Sequence, residues 1–441
     1  MAVRSDKMGQ SWLLPPAVSD LVPVDHICYL VSAIVNGVDV SEVEQKYRSG
    51  PGNPAYSRRM LLRLVIMASV DAVWSSRKIA KLAHENVVYM YLTGNEKPDF
   101  RTICNFKKEC KDLIENTFKE TVTTAKALGI LGLGHISTDG TKMKANASNN
   151  YTLSKEEIEE IRRIIERGIA IDDEEDKLYG DKRGDELPPE LNTQEKLREK
   201  IKEIEEASGK KMKNAAKNII EQHVLGDELQ KERIIEKLDK AEKELNKSGQ
   251  SVVSITDPEA RFMKNKKERI ELSYNPQITV DHDSGLIVAN DVTQDCTDHA
   301  QLESQVNSTL ENVEKLPEGA KMSFDNGYFS GPNLRYLETN GLDGYIPDRK
   351  QAGEMKGNKP KVNLFSKDSF DYDEETDQFL CPSGEILSRK GEYEYNGKHN
   401  LKFREFLTRG IENVRIEHNL VCTAHNLKVI LQVLLLILHL G

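Results

Sequence analysis

Two aspartates, Asp139 in STDG and Asp325 in FDNGY, each close a short run suited to a β-strand. Ile136 and Thr138 alternate with Ser137 and Asp139, and KMSFD at 321–325 forms a second such run, so each predicted strand ends in a carboxylate. A glycine follows within two residues in both places, which lets the backbone turn away and leaves the acid exposed. Carboxylates are hard oxygen donors suited to Mg2+ or Mn2+. Two such ions can clamp the attacking and leaving oxygens of a phosphodiester. An aspartate at a strand end is also a common turn-former; on residue type and strand order alone the two readings stand level.

The elements that must position these acids follow from periodicity. Residues 1–130 predict an all-helical region. Within it RRMLLRLVIMASVDAVWSSRKIAKLAHEN has apolar residues at helical spacing, interrupted at Ser75–Lys78. A helix–turn–helix fits, with Ser75 or Ser76 capping its second helix. Between Arg58 and Lys111 there are 11 Lys/Arg against 5 Asp/Glu. Arg77, Lys78, Arg101, Lys107 and Lys108 are therefore candidates for DNA contact, against the alternative of a solvated basic face.

Residues 270–293 alternate with period two around the turn-forming DHDSG, predicting a hairpin. Asp298 with Gln301 reads as a capping box for a helix carrying the stripe Leu302, Val306, Leu310 and Val313. A helix beginning near Pro332 and stopping at Gly341, a strand in 342–348, and a last helix from about Gly410 complete the pattern. The result is an α/β fold, a mixed sheet with helices on its faces, occupying 131–153 and 251–441. Residues 154–250, dense in Glu, Lys and Arg with Ile and Leu at helical spacing, predict a solvated helical insertion.

The net charge of −10 does not exclude nucleic acid as a partner, because the acidity sits mostly in that insertion. The six cysteines are scattered without a CxxC pair, which argues against a disulfide framework or a thiol-built zinc site. MAVRSDKMGQSW lacks the apolar core of a signal peptide. The apolar run Val429–Leu440 is broken by Gln432 and His439 and is short for a bilayer span. A cytoplasmic protein is expected, with no membrane partner and with that run as the end of a packed helix. His418 and His425 lack a third ligand for a metal, so packing or polar contacts are expected of them.

The pieces PAYSRRMLLRL, SSRKI, PDFRTICNFKK, HISTDGTKMKANAS, DPEARFMK, SYNPQITVD, FDNGYFS, FLTRGIENVRIEHNL and AHNLK, in this order, resemble bacterial insertion-sequence transposases of the DDE class. The resemblance implies a helical DNA-binding domain followed by an RNase H-like catalytic domain. Asp139 would then be the first catalytic and metal-binding acid, and Asp325 the second. It further implies Mg2+ or Mn2+ as cofactor, two ions if the site is complete. The implied partner is double-stranded DNA, as element ends and target, held by a homodimer or larger assembly.

The third acid departs from the family pattern. The residue seven before Lys398 is Gly391 where the family carries a glutamate, the local text is GEYEYNGK, and of a cysteine cluster only Cys381 survives. These features point to an internally deleted copy. The alternative function is a catalytically defective remnant that only binds element-end DNA. Glu392, Glu394, Glu412 and Glu417 are expected to be structural or surface carboxylates. Lys398, Arg404 and Arg409 are expected either to contact the DNA backbone or to form a solvated basic surface.

Overall fold

The computed structural model describes residues 17–46, 54–166, 193–209, 211–223, 228–265, 268–348, 371–373, 378–380, 386–388, 403 and 405–440. Cys381, Gly391, Glu392, Glu394, Lys398, Arg404 and the YGDKRGDELPPE stretch lie outside them.

The amino-terminal region is helical: α1 (Cys28–Gly37), α2 (Ser41–Gln45), α3 (Arg58–Val70), α4 (Ser76–Glu85), α5 (Val87–Thr93), α6 (Phe100–Glu109) and α7 (Lys111–Ala127). Side-chain caps start three of them. Ser57 accepts from Met60 N, Asn86 from Val88 N and Tyr89 N, and Asp99 from Thr102 N, each cap contributing about 1 kcal/mol. Ser75 occupies the N-cap of α4 as the sequence predicts, but its hydroxyl makes no capping bond. Helix α3 is buried almost all round, and α4 leaves it after a turn held by Tyr89, whose hydroxyl donates to Asp71 at 2.8 Å.

Strands β1 (His135–Gly140) and β2 (Met143–Lys144) follow, then β3 (Thr152–Leu153). The insertion comprises α8 (155–166), α9 (Gln194–Ser208), α10 (Asn214–His223) and α11 (Glu228–Ser248). It closes on β4 (Val253–Ser254), which pairs with β3. It is more than the solvated insertion expected: Ile158, Ile161, Leu197, Ile219 and Leu238 bury in an apolar core separate from the others. Around that core Arg162 bridges Asp239 and Glu242 at 2.6 Å each.

The remaining elements are β5 (Arg261–Lys264), β6 (Ile270–Asp281), β7 (Ile287–Thr293), α12 (Leu302–Val313), β8 (Lys321–Phe324), α13 (Gly331–Thr339) and β9 (Asp343–Tyr345). A small sheet of β10 (Asp371–Asp373), β11 (Gln378–Leu380) and β12 (Ile386–Ser388) precedes the last helix, α14 (Ile411–Leu440). Across the main sheet the order is β7-β6-β1-β8-β9. β7, β6 and β1 are antiparallel, whereas β8 and β9 run parallel to β1. With these five strands counted in chain order, that is the 3-2-1-4-5 arrangement of an RNase H-like sheet. α12 and α13 supply the crossovers into the parallel strands.

Over Ile411–Ile437 helix α14 is long and apolar enough to cross a membrane. The fold uses it instead as a core helix. Ile416, Leu420, Ala424 and Leu427 pack in the amino-terminal core, Cys422 packs under the sheet, and among its described large apolar side chains only Leu436 and Ile437 are well exposed. Its start is fixed by DPEA: Gly410 N donates to Asp257 at 3.1 Å and Ile411 N to Glu259 at 2.8 Å. Two carboxylates thus satisfy the free amides and oppose the positive end of the helix dipole. Asn426 ties the same helix to β7, accepting from Ile287 N at 2.9 Å and donating to Ile287 O at 2.8 Å.

Candidate active site

β1 and β8 pair in parallel, with Thr138 opposite Phe324. Asp139 ends the run of β1 before Gly140 and Asp325 directly follows β8, so this register brings the two acids to neighbouring positions at the carboxyl ends of the two strands. Neighbouring strands are about 4.8 Å apart, and residues in register point to the same face. Ile136 and Thr138 are buried, as are Met322 and Phe324, while both aspartates are exposed. Alternation of burial has carried each acid to the open end of its strand.

The Asp325 carboxylate accepts from Gly327 N at 2.7 Å, closing the turn Asn326–Tyr328. Asn326 donates to Pro347 O at 3.0 Å, which anchors this turn to the chain after β9. Tyr328 is buried and its hydroxyl donates to Gln277 on β6. Burial, followed by the negative charges of Asp298, Asp139 and Asp325, holds its phenol well above the ordinary range.

A third acid joins the two. The predicted capping box does not form: α12 starts at Gln301 without a side-chain cap bond, and the Asp298 side chain turns inward. Its carboxylate receives Asn275 Nδ2 at 2.6 Å, Gln277 Nε2 at 2.8 Å, and Lys142 Nζ at 3.0 and 2.9 Å. These donors outbid the cap because they come from groups that are themselves buried and need an acceptor. Burial pushes the Asp298 carboxyl up, but the bonds from Asn275, Lys142 and Gln277 and the Lys142 charge leave it below the usual carboxylate range.

The glycines beside the aspartates serve close approach as well as turning. A Cβ on Gly140 would stand 2.5 Å from Asp298 Oδ1 and would also collide with Gln277 Nε2. A Cβ on Gly327 would stand 2.8 Å from Asp325 Oδ1 and 3.2 Å from Asp298 Oδ2. Asp298 thus lies between the turns that follow the two strand-end aspartates. The available signal for it was the polar alternation Ser273, Asn275, Gln277, Thr279, Asp281, which marks a buried polar face of β6.

As hard-oxygen donors on neighbouring strand ends, Asp139 and Asp325 suit a divalent cation by donor chemistry. Among the described residues no group of three or more His, Cys, Asp or Glu side chains is placed to hold a metal ion. Glu417, on α14, is occupied structurally: it accepts Leu407 N, Thr408 N and Thr408 Oγ1 at 3.1, 3.1 and 2.8 Å. Glu412 faces Lys111 and Arg415 at 3.5 and 3.4 Å. His418 contacts Asn290 Oδ1 at 3.2 Å and His425 contacts Gly285 O at 2.9 Å, so both serve packing and polar contact.

The five basic candidates do not share one environment. Arg77 on α4 and Arg101 on α6 both lie over the Phe100 ring, at 5.0 and 5.8 Å, and both are exposed, as are Lys78 and Lys108. Lys107 instead turns inward and donates to Trp74 O at 3.3 Å; burial lowers its pKa. It lines a cavity of about 710 Å³ with Lys108, Arg409 and Glu417. Arg409 itself donates to Asn146 O at 3.0 Å.

Residues 16–109 match the transposase domain family (DUF772), and residues 240–427 match the transposase DDE domain family. No curated protein and no solved structure matches the chain. The two matches fall on the helical amino-terminal region and on the part that holds most of the mixed sheet, and together they identify a transposase of the DDE class. The chain belongs to the insertion-sequence DDE transposases, a family that acts on DNA and depends on divalent metal.

Proposed function

We propose that this transposase cleaves and transfers DNA strands at the ends of an insertion sequence, with Asp139 and Asp325 as metal-binding catalytic acids. The observation that carries the reading is the parallel register Thr138↔Phe324, which makes the two exposed acids neighbours at the sheet's carboxyl edge. Two Mg2+ or Mn2+ ions, when bound, would polarise the scissile phosphate and offset charge on the attacking and leaving oxygens. Asp139 and Asp325 would hold them and fix their separation. The rigid strands behind the acids, and the Asn326 and Tyr328 anchors behind Asp325, keep both carboxylates in place.

The proposed division is a DNA-binding domain at 1–130, a catalytic domain at 131–153 with 251–441, and an insertion at 154–250. The separate apolar core of the insertion supports the last boundary. Exposed Arg77, Lys78, Arg101 and Lys108 would contact the DNA backbone, with Phe100 holding the two guanidinium groups. Lys107 would act from below, through the Trp74 carbonyl. Two element ends must be brought together, which calls for a homodimer or larger assembly working in the cytoplasm.

The test is strand cleavage of end-containing duplex DNA with Mn2+, comparing the chain with Asp139→Ala. The account predicts end-specific nicks from the chain and none from the variant. Background cleavage by both, with end-specific binding retained, would replace the reading with a remnant that only binds element ends.

A further inference from the structure

A continuous chain of contacts joins the turns that follow the two strand-end aspartates. Lys142, three residues after Asp139, is clamped on Asp298 at 2.9 Å. Asp298 accepts from Gln277 at 2.8 Å, and Gln277 accepts from Tyr328, three residues after Asp325. Asp298 stands at the middle of this chain. It comes from neither strand, but from the loop between β7 and α12. Its two oxygens face the backbone of Gly140 on one side and Gly327 on the other, where added Cβ atoms would lie 2.5 and 3.2 Å away. The side chains of Lys142 and Asp298 are 15% and 11% exposed, so the ion pair is largely withdrawn from water.

We propose that Asp298 is a positioning residue for Asp139 and Asp325, fixing the separation of their turns and holding the Lys142 ammonium away from them; this rests on their reading as metal ligands. Two physical effects follow. Asp298 fills the gap between Gly140 and Gly327, so its loss lets the turns shift. It also neutralises a cation three residues from Asp139. A largely buried ammonium deprived of its partner seeks another carboxylate, and the nearest function of such a cation would be to compete with a divalent ion for Asp139 or Asp325.

The second effect separates positioning from simple folding support. Asp298→Asn keeps the size of the side chain and frees the Lys142 charge. Lys142→Gln with Asp298→Asn removes both charges at nearly constant volume. The measurement is Mn2+ binding by the full chain, read as loss of the free Mn2+ paramagnetic resonance signal, with thermal unfolding alongside. We expect Asp298→Asn to raise the Mn2+ dissociation constant at least tenfold, and the double variant to recover most of that loss. Gly327→Ala, which presses a methyl group between Asp325 and Asp298, is the second probe should Asp298→Asn not fold, and it too should weaken Mn2+ binding.

Binding that is abolished by Asp139→Ala but unchanged in Asp298→Asn and Gly327→Ala overturns the positioning role and leaves the metal site standing. Weakened binding that the double variant does not recover overturns the part assigned to Lys142. Absence of Mn2+ binding by the chain, or binding indifferent to Asp139→Ala, overturns the metal-site reading and the positioning role with it.

Discussion

Asn426 lies in AHNLK, one of the pieces that carried the family resemblance, and its structural task can be measured. It is fully buried. Its amide oxygen accepts from Ile287 N at 2.9 Å, and its amide nitrogen donates to Ile287 O at 2.8 Å and Thr121 Oγ1 at 3.0 Å. One side chain on α14 therefore completes the backbone bonding of β7 and reaches α7. Asn426→Ala leaves a buried N–H and a buried C=O without their partner, each costing about 1–3 kcal/mol. Thr121 keeps its own bond to Phe118 O at 2.7 Å, so its share is small. We predict a loss of about 3–5 kcal/mol for Asn426→Ala, including a small cavity. Thr121→Val, which removes one bond of the three, should cost about 1 kcal/mol. Urea unfolding followed by circular dichroism gives both values. A loss below about 1 kcal/mol for Asn426→Ala, or equal losses for the two variants, would refute the reasoning.

Three further predictions concern pH, DNA and packing at the site. Burial pushes the His418 imidazole down to about 4 from 6.5, so the folded chain favours the neutral ring and stability falls as pH drops from 6.5 towards 4. At about 1.4 kcal/mol per unit this amounts to about 3 kcal/mol. His418→Gln should therefore lose that much less stability than the parent across this window, and parallel pH profiles would contradict it. Charge reversal at Arg77 and Arg101 should weaken binding to any duplex and reduce its salt dependence, as loss of phosphate contacts does; fluorescence anisotropy at two salt concentrations would reveal an unchanged slope if the assignment is wrong. Gly140→Ala should destabilise the chain by about 1–3 kcal/mol through collision with Asp298 and Gln277, and a neutral thermal shift would mean that the two turns are not closely packed.

What could be read in the sequence was local. Alternation in HISTD and KMSFD, the hairpin around DHDSG and the stripe of α12 all depend on neighbours within a few residues, and the structure has each of them. Long-range partners were less visible. Asp298 resembled a helix cap because a cap needs only Gln301 nearby, whereas its actual partners lie on β6 and between β1 and β2. Lys107 and Lys108 are indistinguishable in a basic run, and only the packing of α6 decides that one turns to Trp74 and the other to solvent. In the same way DPEA gave no hint that Asp257 and Glu259 would meet the amino end of a helix over 150 residues later. The insertion was underestimated because Ile and Leu spaced along a charged segment do not reveal whether several helices share one core.

The claim that matters most is that Asp139 and Asp325 bind the metal that drives strand cleavage. Asp325→Cys tests it directly, because a thiolate is a softer ligand than a carboxylate and discriminates against Mg2+ relative to Mn2+. Cleavage of end-containing DNA should be lost in Mg2+ and restored in Mn2+, while the parent chain cleaves with either ion. Equal activity of the variant in both ions, or a parent chain that cleaves with neither, would contradict the account.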